Sequence, residues 1–301
     1  MLDLGLPRVA LRGPTQIRDL GGGRLVLDEG HAAEPYGGNK VRKLEWLLGA
    51  ARAGGGDIVT MGPAGSHYLL ATAVHGRRLG LRVHAVAWPQ RDSEHSRENL
   101  RALSAHAEQV WPARSMAHAA WVAARAWGTV RALAGYPPVA WMPGGSNGLG
   151  TLGWVEAGME IASRQPARVW TASGTGGTAA GLRLGLAMAG CPAEVVAVDV
   201  AGAGRAAIEL AGLRAARRVG KVPPLGPLRV ITEASAYGSP LHLEGPVALD
   251  PVYSSKAWAH FERDGRPGVF VATANSFPME PLLSDALTEL PRRLAALLVG
   301  G

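Results

Sequence analysis

From Val41 onward the apolar positions Val41, Leu44, Leu47, Leu48 and Ala51 fall at helical spacing, and the same period returns over 66–79, 93–106 and 115–134. Each of the three later stretches opens with a serine, Ser66, Ser93 or Ser115, whose hydroxyl can accept from a free N–H of the first turn. Between them, short apolar runs at 57–61, 82–88, 109–111 and 139–142 predict strands. After a loop at Pro143–Gly148 the alternation resumes. It predicts helices over 151–164, 178–189, 204–219 and 282–298, with strands at 168–172, 194–200, 228–231, 247–249 and 268–272. Residues 1–36 read as irregular apart from a short strand at 24–27. Regular strand–helix alternation predicts an α/β protein with two open, twisted, mostly parallel sheets flanked by helices. The expected division is a larger domain from 1–42 and 145–301 and a smaller one from 43–144.

Composition narrows the field. The chain has 301 residues, 47% of them hydrophobic and 18% charged, which is globular and long enough for a large core. A net charge of +7 raises nucleic acid as a partner. The arginines are scattered among acidic residues, however, and no run of five basic residues occurs, which points away from it. The single cysteine, Cys191, excludes an intrachain disulfide and a cysteine-rich metal site. No apolar stretch reaches membrane-spanning length and the N-terminus lacks a signal-peptide layout, so a cytoplasmic protein is expected. Lysine is scarce: Lys40, Lys43, Lys221 and Lys256 are the four.

Two of those four follow Gly37-Gly38-Asn39 directly, at the start of the first long helix. Lys40 sits where the helix dipole disfavours positive charge, which makes it a candidate for a lowered pKa and for carbonyl chemistry. The plain alternative is a solvated lysine beside Arg42 and Lys43. A second signal is Ser173-Gly174-Thr175-Gly176-Gly177-Thr178, between a strand and a helix. Backbone N–H groups, hydroxyls and a helix N-terminus gathered in one loop suit a phosphate. Gly174-x-Gly176-x-x-Ala179 also fits a dinucleotide fingerprint, with Asp199 where a ribose-binding acid would lie. That alternative leaves the lysine turn unexplained, whereas a phosphorylated cofactor joined to Lys40 uses both features.

Gly37-Gly38-Asn39-Lys40-Val41-Arg42-Lys43-Leu44-Glu45 resembles the signature of the D-cysteine desulfhydrase and 1-aminocyclopropane-1-carboxylate (ACC) deaminase family. These are pyridoxal-phosphate (PLP) enzymes of the tryptophan-synthase β-subunit fold, PLP fold type II. The resemblance extends through Pro14-Thr15, Pro143–Gly153, Ser173–Leu182 and Asp250-Pro251-Val252-Tyr253. It implies a PLP-dependent lyase that deprotonates Cα of a β-substituted amino acid, such as cysteine or a cysteine conjugate, possibly of D configuration. β-Elimination would release keto acid and ammonia. It implies Lys40 as the cofactor lysine and proton carrier, with Ser66, Tyr237 and Tyr253 on the substrate side. Asn39, Ser173, Gly174, Thr175, Gly176, Gly177 and Thr178 would bind the cofactor, with His67 at its phenolic oxygen and Ser254 at its ring nitrogen. It implies no metal, and a homodimer as in relatives. A hydroxyl at 254, where ACC deaminases have glutamate, argues against cyclopropane ring opening.

Several positions depart from that pattern. Gly65-Ser66-His67 stands where the family has Gln-Ser-Asn, and Ala272-Thr273-Ala274-Asn275-Ser276 replaces a His-Thr-Gly-Gly-type turn. Val26-Leu27 replaces a basic pair before Asp28-Glu29, and Leu241–Glu244 is shorter than the usual wall of the substrate side. The expectation is a retained cofactor with an altered substrate or reaction. The alternatives are an NAD-type oxidoreductase using Gly174–Ala179 and a non-catalytic PLP-binding homologue.

Overall fold

The computed structural model describes residues 2–235, 238–284 and 288–299. In chain order the elements are β1 (Gln16–Asp19), β2 (Arg24–Asp28), α1 (Lys40–Ala53), β3 (Asp57–Pro63), α2 (His67–Arg78), β4 (Arg82–Trp88), β5 (Gln90–Arg91), α3 (Glu94–His106), β6 (Gln109–Pro112), α4 (Met116–Ala134) and β7 (Val139–Trp141). There follow α5 (Leu152–Ala162), β8 (Arg168–Ser173), α6 (Gly177–Met188), β9 (Glu194–Asp199), α7 (Gly204–Val219), β10 (Leu228–Thr232), α8 (Ser254–Asp264) and β11 (Gly268–Ala272). The chain closes with α9 (Glu280–Leu283), α10 (Arg292–Ala295) and β12 (Leu298–Val299).

The chain divides into two compact units. The first comprises residues up to Leu6, Ala10–Trp46 and Ser146–Ser276; the second comprises Pro7–Val9, Leu47–Gly145 and the described residues from Phe277 on.

The first unit holds a six-stranded sheet in the order β1-β2-β11-β8-β9-β10, parallel except for β1. Its strands are apolar on both faces. Val169, Val195, Ala197, Val269 and Val271 pack against α5, α6 and α7, whereas Trp170, Val196, Val198 and Phe270 pack against Ala257, Trp258 and Phe261 of α8. Alternate residues therefore enter opposite cores, as a sheet covered on both sides requires. Helices α5 and α6 cross backbone to backbone. A Cβ on Gly185 would lie 1.9 Å from the Val155 carbonyl oxygen.

The second unit is built on a four-stranded parallel sheet, β6-β4-β3-β7, with β5 and β12 forming a separate parallel pair. The three expected serine caps are in place at α2, α3 and α4, each accepting a first-turn N–H.

Three expectations are corrected. Gln16–Asp19, read as irregular, forms β1 by pairing antiparallel with β2, a long-range contact that a short polar run does not announce. The strand at 247–249 is irregular, although Val247 is buried. The single helix over 282–298 is absent. Pro291 lies in the middle of that stretch, cannot donate within a helix, and instead precedes the short α10.

Candidate active site

The lysine turn is pinned by its own unit. Gly38 N–H donates to the Glu29 carbonyl (2.7 Å), Asn39 N–H to the Thr273 carbonyl (3.1 Å), and Gly37 N–H to Asn275 Oδ1 (2.7 Å). A Cβ on Gly37 would sit 1.9 Å from the Gly30 carbonyl oxygen, and Gly38 has φ +89°, so both positions need glycine. The Asn39 carbonyl accepts from the Trp154 indole at 3.2 Å. Lys40 follows as the first residue of α1. Burial pulls its amine down to about 8, against the opposing pull of Asp250.

The next two cations are buried, whereas Lys40 is half-buried. Arg42 binds Glu29 (2.8 Å) and Glu160 (2.9 Å) and donates to Thr15 Oγ1 (3.1 Å). Burial pulls the Glu29 carboxyl upward in spite of Arg42. Lys43 Nζ donates to Ser146 Oγ at 2.7 Å, and Ser146 Oγ lies 2.5 Å from Thr175 Oγ1. Its amine is pushed well below the ordinary lysine range, first by burial and then by the charge of Lys40.

Thr175 belongs to the expected phosphate loop, which runs from the end of β8 at Ser173 to the start of α6. Gly176 has φ +81°, and a Cβ there would lie 2.8 Å from the backbone of Ala207 and Ile208. A Cβ on Gly177 would lie 2.6 Å from Ser146 Oγ and 3.1 Å from Lys43 Nζ. A Cβ on Gly174 would lie 3.1 Å from the Tyr253 ring, so Tyr253 stands beside the loop. Ser173 and Thr178 are buried. This unit thus joins a helix N-terminus that opens on two glycines to a buried lysine, linked to the loop's Thr175 through Ser146. Such a cradle fits a phosphate.

Ser254 opens α8 and is fully buried. Its hydroxyl donates to Asp250 Oδ2 (2.6 Å) and accepts from the Asp250 N–H (2.6 Å). The same carboxylate accepts from the N–H groups of Tyr253 (2.6 Å) and Ser254 (3.0 Å). Asp199 does not serve as a ribose ligand. It is buried, and its carboxylate takes the N–H groups of Ala203 (3.3 Å) and Gly204 (2.7 Å) at the start of α7, which removes the acid that the dinucleotide alternative needs.

In the second unit Ser66 caps α2, accepting from Leu69 N–H at 3.4 Å. His67 Nε2 lies 2.8 Å from His95 Nε2, and Asn99 Nδ2 lies 3.1 Å from the same His95 nitrogen. Asn99 Nδ2 also donates to the Gly65 carbonyl (2.9 Å), which fixes the amide orientation. His95 Nε2 is therefore the acceptor and His67 Nε2 carries the proton. Tyr237 lies outside the described residues. Among the described residues no cluster of three or more His, Cys, Asp or Glu could hold a metal ion, and no helix is long and apolar enough to cross a membrane.

Sequence reasoning passed over Lys43, Ser146, Asp250, His95 and Asn275 as site residues. Lys43 and Asn275 were visible, one as a second scarce lysine and the other as a departure from the family turn. Ser146 lay inside the Pro143–Gly153 resemblance without a role of its own, and the position of His95 depends on long-range packing.

An open, mostly parallel sheet with a glycine loop after one strand and a half-buried lysine opening a helix is an arrangement suited to a phosphorylated cofactor. Comparison with known proteins agrees. Residues 10–279 match the family model described as pyridoxal-phosphate dependent enzyme. The chain is 37% identical over 220 residues to a nocardicin C-9' epimerase of Nocardia uniformis subsp. tsuyamanensis, covering 65% of this chain and 64% of that one. It is 31% identical over 288 residues to a D-cysteine desulfhydrase of Serratia proteamaculans, covering 80% and 82%. A crystal structure of an ACC deaminase homologue superposes with a TM-score of 0.77 at 27% identity, over 93% of this chain and 96% of that one. This chain belongs to the pyridoxal-phosphate-dependent enzyme family. It spans a little under two thirds of the length of the epimerase it matches.

Proposed function

We propose that the chain is a PLP-dependent lyase acting on a β-substituted amino acid, cysteine or a cysteine conjugate, possibly of D configuration. The observation that carries this is Lys40: its amine is held near 8 at the head of α1, in the same unit as the Ser173–Thr178 loop. The residues fit the cofactor. The N–H groups and hydroxyls of Ser173, Gly174, Thr175, Gly176, Gly177 and Thr178 would take its phosphate, with Lys43 supplying a further donor. Bound there, the cofactor withdraws electrons from the substrate Cα. Lys40 Nζ would take the proton from Cα, a task suited to an amine with a depressed pKa. Departure of the Cβ substituent with its bonding electrons would leave an unsaturated amino acid, which water would hydrolyse to keto acid and ammonia.

Ser254 would meet the ring nitrogen. Its hydroxyl is itself positioned by Asp250 and carries no charge with which to hold that nitrogen protonated. His67, whose Nε2 lies at His95, would stand at the cofactor's phenolic oxygen. Asn39 would flank the cofactor, with Ser66, Tyr237 and Tyr253 toward the substrate. A cytoplasmic homodimer accompanies this reading.

The name of the 37% identical relative favours a second reading, Cα epimerisation, in which the proton is removed and returned with no group leaving. One experiment tests both. The purified protein is incubated with β-substituted L- and D-amino acids in deuterium oxide while keto acid and Cα deuterium are followed. Keto acid from any of them supports the lyase, and deuterium exchange with inversion but no keto acid supports the epimerase. Neither, in protein whose visible cofactor band is present, overturns both.

A further inference from the structure

The turn that opens α2 departs from the family pattern at Gly65 and His67, and α3 of the same unit engages both positions. Gly65 lies outside the left-handed region, so its backbone would admit a side chain. Packing does not. A Cβ there would lie 2.8 Å from both Cα and Cβ of Ser96 and 3.1 Å from Gln90 Nε2. The missing side chain is what allows the first turn of α3 to lie against the backbone of Gly65.

Two side chains then hold that backbone. Gln90 Oε1 accepts the Gly65 N–H at 2.9 Å, and Asn99 Nδ2 donates to the Gly65 carbonyl at 2.9 Å. Gln90 is itself fixed in β5, where its N–H donates to the Leu297 carbonyl at 2.9 Å. Asn99 is 1% exposed, and its Oδ1 is buried with no partner among the described residues. The reversed amide would set Oδ1 against the Gly65 carbonyl, so the contacts of Nδ2 decide its orientation. Nδ2 also lies 3.1 Å from His95 Nε2, and His67 Nε2 lies 2.8 Å from that same nitrogen. A hydrogen-bond circuit thus leaves the turn at the Gly65 carbonyl, runs through Asn99 and His95, and returns two residues later at His67.

The circuit has a fixed polarity. An amide nitrogen only donates, so His95 Nε2 accepts, and the proton between the two rings belongs to His67. The neutral ring of His67 is left with a bare Nδ1. We propose that His95, oriented by Asn99, is a positioning residue for His67. It holds the His67 ring in one place and in one tautomer, protonated at Nε2, so that Nδ1 is presented as a hydrogen-bond acceptor. Gly65 and His67 are then one coupled change, since the first admits the helix that orients the second. The bearing of this arrangement on catalysis rests on the reading above, in which His67 stands at the cofactor.

Nitrogen-15 NMR of the holoenzyme labelled in its histidine rings, at about pH 8 where ordinary histidines are neutral, tests the assignment. The His67 signals are those missing from His67→Ala. The expected wild-type pattern is a single tautomer with the proton on Nε2. His95→Ala should abolish it and leave the averaged tautomers of an unconstrained imidazole, and Gly65→Ala should do the same. His95 is exposed, so its replacement retains the fold even where Gly65→Ala does not. The visible bands of the loaded variants are then compared. His67→Ala and His95→Ala should displace the band in the same direction, and the double variant no further than His67→Ala alone. A wild type with mixed tautomers or the proton on Nδ1 overturns the proposal, as does an unchanged His67 tautomer in His95→Ala. Displacements that add in the double variant overturn it too. A band indifferent to His67→Ala, with the tautomer fixed in the wild type and released in His95→Ala, upholds the proposal and removes only His67 from the cofactor.

Discussion

The side-chain carbonyl of Asn275 accepts the Gly37 N–H at 2.7 Å, tying the loop after β11 to the turn that presents Lys40. The His-Thr-Gly-Gly-type turn of the resemblance would place a glycine here, which has no side-chain oxygen. Here a departure from the family pattern ties down the turn that carries Lys40.

Asn275→Ala should therefore leave the buried Gly37 N–H without that acceptor and cost about 1 kcal/mol. The expected readout is a lower melting temperature, together with faster loss of the visible band on dialysis against a carbonyl-trapping amine. A variant with parental stability and cofactor retention would show that the bond contributes nothing.

Lys40 makes a prediction with a sign. Its pKa in the folded chain, about 8, lies below the ordinary lysine value of about 10.4. The folded state thus holds fewer protons than the unfolded state between those values, and stability rises with pH across that window. In urea melts of cofactor-free protein at pH 7.5 and pH 9.5, the wild type should gain more from the higher pH than Lys40→Met does. Equal gains would mean that Lys40 titrates as an exposed lysine. In the loaded protein, Lys40→Ala should abolish the visible absorption band.

Gly176→Ala tests the loop. The residue has φ +81°, and its Cβ would press on the α7 backbone at 2.8 Å. The left-handed conformation alone costs about 1–2 kcal/mol, and the clash adds to it. Destabilisation of about 2 kcal/mol or more is expected, with weakened cofactor binding. A neutral outcome in both thermal melts and cofactor titration would contradict the tight packing of loop against α7.

Arg42 sits fully buried between Glu29 and Glu160, and its role is separable from chemistry. Arg42→Met should cost about 3–5 kcal/mol because it leaves a buried carboxyl without its cation. Adding Glu29→Met should restore part of that loss. If the double variant is as unstable as the sum of the two single ones, the pair does not act as a unit.

Much of the fold was legible because its elements are locally consistent. The serine caps at Ser66, Ser93 and Ser115 and the apolar strands β3, β4, β8 and β9 each announce themselves over a few residues. β1 was not legible, since its strand character comes from pairing with β2 and not from its own four residues. The C-terminal stretch misled because its helical period survives across Pro291, where the backbone cannot follow. At the site, Lys40 and the glycine loop stood out by residue type. The partners that set their chemistry, such as Ser146 for Lys43 and His95 for His67, are far away in sequence and emerge only on folding.

The scarcity of lysine has a practical side. Lys43 and Lys256 are buried, Lys40 is half-buried, and Lys221 stands exposed on the surface. The protein's positive exterior is thus carried almost wholly by guanidinium groups, which amine-directed reagents ignore. Mild acylation of the native chain should mark Lys221 and Lys40 while sparing the buried Lys43 and Lys256, and the rate at which Lys40 is labelled should level off above about pH 8, reporting its own ionisation.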